Sequence, residues 1–549
     1  MSRKQKIILS VTGIFLVLLL LVGLTYAYFL TRINGNTNTK SISVSTANLV
    51  LEYGENTNVV QGINNAEPGY EVSKIFTATN EGNSNVTYGA ALESIVNELS
   101  RQQDLVYTLT CTSYLKNGFS LASDGTITGT VDGTCNGVDT EKQFPSTRTL
   151  SVMATNTIDT THTHAYKLTV TYKEMGVDQS VDMNKTFSAK VNIVDINALT
   201  VNNPYKNDTG TLKKTIIDNA MIGVGTTQFG SEVTTFTAVS GENERVLNSA
   251  PDDYGTSYYF RGNVLDNYVS FADKIWRIVR INGDGTVRLV LDDVAKDSSG
   301  NVINTKFNSS TNDNAYVGYM YGTVGSTTYD ATHENINEST IKTKVDKWYE
   351  DNLKTNYSNY LADTLFCNDK TLAENGIGGV TTQLGYGSSE SSYYSSTERL
   401  LYSTGTTSIT TATPTLKCAE KANDNYSRFT TTKTTLPSGK ETNGNLKYPI
   451  GLLTADEVSF AGAYKSNQTN KTYYLYNSSI TSNWWLSSPI DFSGYFALEW
   501  EAGCANGYLL ISNVVNSAVA FRPSINLKAN ILVGGGDGTS SNPYTVNMS

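Results

Sequence analysis

The sequence predicts a mainly β protein with a few helices: an N-terminal transmembrane or signal helix, a β-sandwich domain, and then an α+β domain. Three observations favour this fold class. The chain has 549 residues, more than one hydrophobic core usually supports. Only 17% of the residues are charged, and 34 Tyr stand against 17 Phe, a balance typical of sheets with one face in water. Short segments of alternating apolar and polar residues recur between Gly, Asn and Asp turns, as expected for half-buried strands.

The charge balance excludes nucleic acid as a partner. The chain has 41 Lys and Arg against 51 Asp and Glu, which gives a net charge of -10 at pH 7. Its basic residues are scattered, whereas binding to a nucleic-acid backbone needs a concentrated cationic face. We therefore expect no nucleic-acid partner.

Residues 1–30 form a membrane-directed segment. Arg3, Lys4 and Lys6 come first, and residues 7–29 carry no charge. This run is long enough to span a bilayer, which takes about 20 residues, yet it is placed like a signal peptide. It is predicted as either a signal peptide or an N-terminal membrane anchor. The basic residues ahead of it put the main body outside the cell, so we expect a cell-surface or extracellular protein, anchored by this helix or released after cleavage.

Residues 31–199 are predicted to form the β-sandwich. Six alternating segments with turns between them indicate strands of a two-sheet domain; they are KSISVSTANLVLEY, SKIFTATNEG, NVTYGAALES, LVYTLTCTSY, HAYKLTVTYK and FSAKVNIVDI. The pattern changes at Pro204 and the following Asn-Asp-Thr-Gly. Residues 200–250 are therefore predicted as a linker, with a short helix at residues 212–219.

Residues 251–533 are predicted to form the α+β domain, followed by a C-terminal tail at residues 534–549. NGDG at residues 282–285 separates two alternating runs and indicates a β-hairpin. ESTIKTKVDKWYEDNL carries its apolar residues on one helical face. Residues 376–413 are rich in Ser, Thr, Tyr and Gly and are predicted as a long surface loop.

A second helix is predicted to begin at Thr454. Thr-Ala-Asp-Glu matches the capping box, in which the Thr454 hydroxyl accepts from the backbone of the third helical residue and Glu457 reaches back. Gly462 is placed to end this helix.

Five cysteines in an exported chain predict disulfides. Cys111 and Cys135 lie in one region and Cys367 and Cys418 in another, so each pair would stabilise its own domain. Cys504 is left without a partner and is interpreted as an inert thiol. No CxxC occurs, which argues against a zinc ribbon or a redox motif.

The N-terminal part resembles a known family. Its basic head, long apolar run, TYAYF and strand-like residues 41–52 are similar to the export signal and first strand of camelysin and TasA-type proteins, matrix-fibre subunits of Gram-positive-type bacteria. The resemblance covers about residues 1–200. It implies cleavage of the signal close to Ala27.

The second half resembles another family. FADKIWRIVRI, YPIGLLTADEVSFAGA, NWWLSSP, a polar-aromatic run and VAFRPSINLK follow one another over residues 251–533. This order resembles the C-type-lectin-like modules of bacterial surface proteins, which are related in fold to the formylglycine-generating enzyme. That enzyme works with a pair of cysteines near its C-terminus, whereas Cys504 stands alone here, so the resemblance implies the fold without the reaction.

Residues suited to catalysis are few. His162 and His164 could share a metal from one strand face, but no third ligand is evident, and exposed strand histidines are the favoured interpretation. His333 and Glu334 lack the second His of HExxH, and neither GxSxG nor a phosphate loop is present. We predict no enzymatic activity, no metal and no cofactor. Calcium bound by Asp537 or the Asp/Asn-rich turns stays open as an alternative.

The candidate ligand surface lies between two motifs predicted to be structural. Trp484 and Trp485 are interpreted as core rather than sugar-stacking platforms, and Arg522 as a buried arginine paired to a carboxylate or to carbonyl groups. Residues 490–517 combine aromatic rings with small polar neighbours, a composition typical of adaptable binding surfaces. The predicted ligand-binding residues are Asp491, Phe492, Tyr495, Phe496, Glu499, Trp500, Glu501, Asn506 and Tyr508.

This segment has two interpretations. In proteins diversified by retroelements, the lectin fold carries its hypervariable ligand site at the corresponding place, so the resemblance implies a hypervariable segment. A structural β-loop without special function is the alternative.

The predicted function is adhesion: an exported bacterial surface protein that binds a protein or glycan on another cell or in the matrix. The alternative is a structural matrix or fibre subunit, which self-associates through strand donation by the N-terminal sandwich.

Overall fold

The computed structural model describes residues 33–35, 47–53, 68–122, 125–145, 148–200, 202–224, 229–239, 246–419, 425–465, 470–510 and 513–548. In these ranges the chain is mainly β with few helices, as predicted. None of their helices combines the length and the apolar character needed to cross a membrane. The predicted N-terminal helix of residues 1–30 lies outside the described residues.

The described residues form two compact units, and the first lies within Met1–Asn202 and Met221–Thr227. Its strands are β1 Ile33–Gly35, β2 Ala47–Tyr53, β3 Tyr70–Asn80, β4 Val86–Asn97, β5 Leu105–Leu115, β6 Ser120–Leu121, β7 Ile127–Thr128, β8 Val131–Thr134, β9 Val138–Gln143, β10 Arg148–Ile158, β11 His162–Tyr172 and β12 Lys185–Asp195, followed by helix α1 Ile196–Thr200.

The first unit has two main sheets. One has the order β1-β3-β11-β5-β8, with β9 also pairing β5, and all of its pairs are antiparallel. The other has the order β10-β4-β12-β2, in which β2 pairs β12 in parallel. Tyr88 of β4 meets Tyr166 of β11 edge to face, with ring centroids 6.4 Å apart. Both sheets therefore contribute side chains to one shared core.

The second unit lies within Asn203–Ala220 and Gln228–Ser549. The remaining strands of the chain are β13 Val246–Pro251, β14 Thr256–Arg261, β15 Tyr268–Phe271, β16 Lys274–Ile281, β17 Val287–Leu291, β18 Met320–Tyr321, β19 Asn337–Glu338, β20 Phe366–Cys367, β21 Ser392–Tyr393, β22 Arg428–Phe429, β23 Ile450–Gly451, β24 Trp484–Phe492, β25 Ala497–Ala502, β26 Leu509–Leu510, β27 Ala520–Phe521, β28 Ser524–Leu527, β29 Val533–Gly535 and β30 Tyr544–Val546. The remaining α-helices of the described residues are α2 Leu212–Val224, α3 Tyr329–His333, α4 Thr340–Asn352, α5 Ser395–Leu400 and α6 Ala455–Ala461.

Two larger sheets organise the second unit. The first has the order β23-β28-β17-β16-β15-β30-β29, and β14 joins it by pairing with both β16 and β13. The second has the order β21-β24-β25-β26, with β27 in parallel beside β24. This second sheet carries the predicted ligand-binding residues.

The hairpin and the helices that were predicted from short sequence patterns are present in the structure. The β16–β17 hairpin turns at residues 282–285, where Gly285 adopts φ +80° and its N–H donates to Asn282 O at 2.8 Å. A Cβ on Gly283 would lie 2.4 Å from Gly255 N, so glycine alone fits this close approach. Helices α2 and α4 cover the predicted segments, and α6 begins with the predicted capping box at Thr454.

The predicted long surface loop at residues 376–413 is wrong in its central part. β21 and α5 lie there, and Tyr394 between them is fully buried. The hydroxyl groups that made the segment look solvent-exposed have internal acceptors: Ser395 Oγ donates to Asp369 Oδ2 at 2.6 Å, and Thr397 Oγ1 donates to Ile490 O at 2.7 Å. Because these bonds satisfy the polar atoms, Ser and Thr are stable in the interior.

The segments predicted as a linker and as a C-terminal tail both contain regular secondary structure. The segment predicted as a linker contains α2 and the start of β13. The segment predicted as a C-terminal tail contains β30, which pairs in parallel with β15.

Candidate functional site

Two exposed aromatic rings stand at the turn between β24 and β25. Tyr495 is 75% exposed and Phe496 is 52% exposed. The turn is tight: Ser493 N donates to Phe496 O at 3.0 Å, and Phe496 N donates to Ser493 Oγ at 3.1 Å. Gly494 supplies the left-handed residue, with φ +84°. The turn therefore holds both rings outward on a fixed backbone, and we call Tyr495 and Phe496 the aromatic tip.

Three loops with small polar side chains lie beside the turn that carries the aromatic tip. Ala497 N donates to Thr311 O at 2.8 Å, and Val515 N donates to Ala497 O at 3.1 Å. A Cβ on Gly494 would lie 3.3 Å from Ser389 O. Residues 309–312, 386–391 and 513–518 thus adjoin the turn that carries the rings, and Ser, Asn, Gly and Thr dominate them. Rigid rings beside adaptable hydrogen-bonding groups are typical of recognition surfaces.

Several predicted ligand-binding residues are buried instead. Phe492, Glu499, Trp500 and Glu501 have no measurable exposure. The Nε1 of Trp500 donates to Ser396 Oγ at 3.0 Å in the interior. Their prediction as exposed loop residues is therefore wrong in this structure. The physical reason is that β24 and β25 are covered on both faces, so they lack the alternation that marks a half-buried strand.

Asn506 and Tyr508 lie at the other end of the hairpin. Both are half-buried, and Asn506 Nδ2 donates to Tyr508 Oη at 3.2 Å. The six residues of β25 separate them from the aromatic tip, a distance of about 20 Å at the rise of a β-strand. The nine predicted residues therefore do not form one continuous surface.

Three predicted ligand-binding residues on β24 and β25, Asp491, Glu499 and Glu501, have carboxyl groups with raised pKa values. Burial raises the pKa of Asp491 to about 7. Burial likewise raises the pKa of Glu501 to about 7, although its Oε2 accepts from Asn513 Nδ2 at 2.8 Å. For Glu499, burial raises the pKa far above its usual range, and neither carboxyl oxygen has a hydrogen-bond partner in the described part of the chain. Burial therefore disfavours the ionised form of each of these carboxyl groups.

A groove missed by the sequence analysis lies elsewhere in the second unit. Its volume is about 1300 Å³, and Leu291, Val294 and Trp348 are among its lining residues. Both acidic and basic side chains line it, and several pair with each other, such as Lys296 with Asp293 at 2.6 Å. The lining comes from separate segments of the chain, so no local pattern could have predicted it.

The three histidines have different surroundings. His162 lies 2.7 Å from both Asp132 Oδ2 and Asp159 Oδ1, and the hydrogen bonds to these carboxylates raise its pKa. Burial lowers the pKa of His164 to about 4. The interpretation of His164 as an exposed strand residue is therefore wrong. Burial, together with the charge of Lys370, lowers the pKa of His333 to about 3.

Both predicted disulfides are present, and the predicted core residues are buried. Cys111 bonds Cys135, Cys367 bonds Cys418, and Cys504 is free and half-buried. Trp484 and Trp485 are buried, as predicted. Arg522 is also buried, with Nε donating to Leu291 O and Nη1 to Leu475 O, each at 2.8 Å. Asp537, the residue considered for calcium, accepts from Thr539 N at 3.0 Å within its own turn.

No family model matches the chain, and neither a curated protein nor a solved structure matches it.

Proposed function

We propose that the protein is an exported bacterial surface adhesin whose second unit binds a ligand through the aromatic tip. The supporting observation is the exposure of Tyr495 and Phe496 on a rigid hairpin turn, among loops of small polar residues. An exposed aromatic pair is costly to leave in water and supplies large contact area at low rotamer cost. The proposed ligand is a protein or glycan on another cell or in the matrix.

We also propose a fold family for each of the two units. The first unit is proposed as a β-sandwich of the camelysin and TasA type, since its two main sheets share one core. The second is proposed as a C-type-lectin-like module, in which β24 and β25 carry the ligand-binding turn. The N-terminal segment would deliver both units outside the cell, either as an anchor or as a cleaved signal.

A binding screen with matched variants tests the ligand surface. The full-length protein is applied to immobilised glycans, matrix proteins and intact bacterial cells. Combined Tyr495→Ala and Phe496→Ala substitutions should weaken any binding at least tenfold, because truncating a central aromatic contact typically costs about 2 kcal/mol or more. Leu265→Ala is the control, since Leu265 is an exposed apolar residue of the same unit. Unchanged binding by the double variant would refute the assignment of the tip.

A second candidate function is a fibre subunit, and one feature of the first unit favours it. Among the described residues, β2 is the last strand of its sheet and pairs with β12 over Ala47–Tyr53, opposite Lys185–Val191. An edge strand can pair with another copy and so propagate a fibre. Electron microscopy of the purified protein, with and without residues 41–52, distinguishes the two functions. Fibres that disappear on this deletion support the structural role, and monomers in both samples refute it.

A further inference from the structure

Three potential metal ligands meet at the Cys111–Cys135 disulfide of the first unit. The two Sγ atoms and a ring nitrogen of His164 all lie within 4.8 Å of one another. Across the described ranges, no other group of three His, Cys, Asp or Glu side chains is this compact. We propose that reduction of this disulfide creates a Cys₂His site for a thiolate-binding divalent ion such as Zn²⁺.

The sheet, rather than the disulfide alone, holds the three ligands together. On β5 and β11, Tyr166 lies opposite Cys111 and His164 lies opposite Ser113. His164 and Cys111 are therefore diagonal neighbours on the same face of the sheet. Cys135 follows β8, which pairs with β5, and its N–H donates to Cys111 O at 3.4 Å. These backbone bonds persist when the sulfur–sulfur bond is cut, so the ligands stay close.

A hydrogen bond orients the imidazole, as it does in many metal sites. Tyr88 Oη lies 2.8 Å from His164 Nδ1. Tyr88 Oη is also 2.6 Å from Tyr166 Oη, which accepts from Asn156 Nδ2 at 2.7 Å. Metal-bound histidines characteristically use their second nitrogen in such a bond, which fixes the ring plane.

Reduction of the disulfide precedes metal binding. A dithiol reductant gives two electrons and two protons to the disulfide, yielding two cysteine thiols and the oxidised cyclic disulfide of the reductant. Zn²⁺ then displaces the two thiol protons and accepts two thiolates and one imidazole nitrogen, and water completes a tetrahedral shell. Tetrahedral Zn–S bonds of about 2.3 Å set the sulfur atoms about 3.8 Å apart. The Cα atoms are 5.1 Å apart, so side-chain rotation can supply this separation.

Cobalt(II) absorption tests the site in the full-length chain. The protein is reduced with dithiothreitol, freed of reductant under nitrogen and titrated with Co²⁺, and the oxidised protein is treated in parallel. We expect thiolate-to-cobalt charge-transfer absorption that saturates at one ion per chain, only after reduction, and is displaced by Zn²⁺. The double variant Cys367→Ser, Cys418→Ser removes the other disulfide thiols and should leave the signal unchanged.

Two further variants identify the nitrogen ligand. His164→Ala should weaken Co²⁺ binding at least tenfold, and Tyr88→Phe should weaken it about tenfold. His162→Ala is the matched control, because His162 lies two residues away on the same strand and pairs with Asp132 and Asp159 instead. Circular dichroism of each reduced protein checks that the sheets persist. Equal binding by oxidised protein, full binding by His164→Ala, or a reduced first unit that stays unfolded with Zn²⁺ would each overturn the proposal.

Discussion

Glu457 and Arg288 form an ion pair in the interior of the second unit, with Oε1 and Nη1 2.7 Å apart and both side chains 2% exposed. Arg280 Nη2 approaches the same oxygen at 3.1 Å. Glu457 Oε2 also accepts from Thr454 N at 3.0 Å, which completes the capping box of α6. The Glu457 carboxylate therefore connects the start of α6 to β16 and β17, which are neighbouring strands of one sheet.

Removal of this carboxylate should strongly destabilise the second unit. Glu457→Ala leaves two buried guanidinium groups without their shared carboxylate, and breaking a buried pair costs about 3–5 kcal/mol of unfolding free energy. Thr454→Ala removes only a cap and should cost about 1 kcal/mol. All five tryptophans lie between residues 276 and 500, so tryptophan fluorescence during urea unfolding reports this unit selectively. Equal losses in the two variants would contradict the importance of the ion pair.

The two disulfides should stabilise separate units. In the chain-entropy model, loops with sequence separations of 24 and 51 residues correspond to about 3.5 and 4 kcal/mol. Replacing both Cys367 and Cys418 with Ser should shift the fluorescence-detected transition. Replacing both Cys111 and Cys135 should leave that transition in place, because the first unit contains no tryptophan, and should shift only the circular dichroism transition, which reports both units. A shift of the fluorescence-detected transition in this second variant would show that the units do not unfold independently.

Features encoded by neighbouring residues could be predicted from the sequence. The turn at residues 282–285 needs a left-handed glycine and a close glycine contact, and the α6 cap needs Thr454 and Glu457 three positions apart. Both requirements are visible in the chain itself. The disulfides could also be predicted, because the five cysteines divide into two local pairs and one cysteine without a partner.

Exposure within the second sheet could not be predicted in the same way. Tyr495 and Trp500 are five positions apart in an aromatic-rich run, yet one is exposed and the other has no exposure. The difference arises because α5 supplies Ser396 as a partner for Trp500, and that residue lies 104 positions away in the chain. Long-range packing of this kind leaves no local pattern.

Stability measurements should separate the buried ring from the exposed one. Trp500→Ala deletes a large buried side chain and should lower the unfolding free energy by about 3–5 kcal/mol. Tyr495→Ala removes an exposed ring and should change it by less than about 0.5 kcal/mol. Urea unfolding followed by circular dichroism gives both values, since Trp500 is itself a fluorophore. A stability loss at Tyr495 comparable to that at Trp500 would mean that the tip is packed rather than exposed.

Glu501 should make the second unit less stable as the pH rises. Its carboxyl has a usual pKa of 4.5, and burial raises the pKa to about 7 in the folded chain. Between these values the folded state holds a proton that the unfolded state has released, so the unfolding free energy falls with increasing pH and levels off above about pH 7. Glu501→Gln stays neutral and can still accept from Asn513. It should match the wild type near pH 4 and exceed its stability by on the order of 2–3 kcal/mol at pH 8. Urea unfolding at both pH values measures this, with exposed Glu334→Gln as the control; a variant no more stable than wild type at pH 8 would show that folding does not raise the pKa of Glu501.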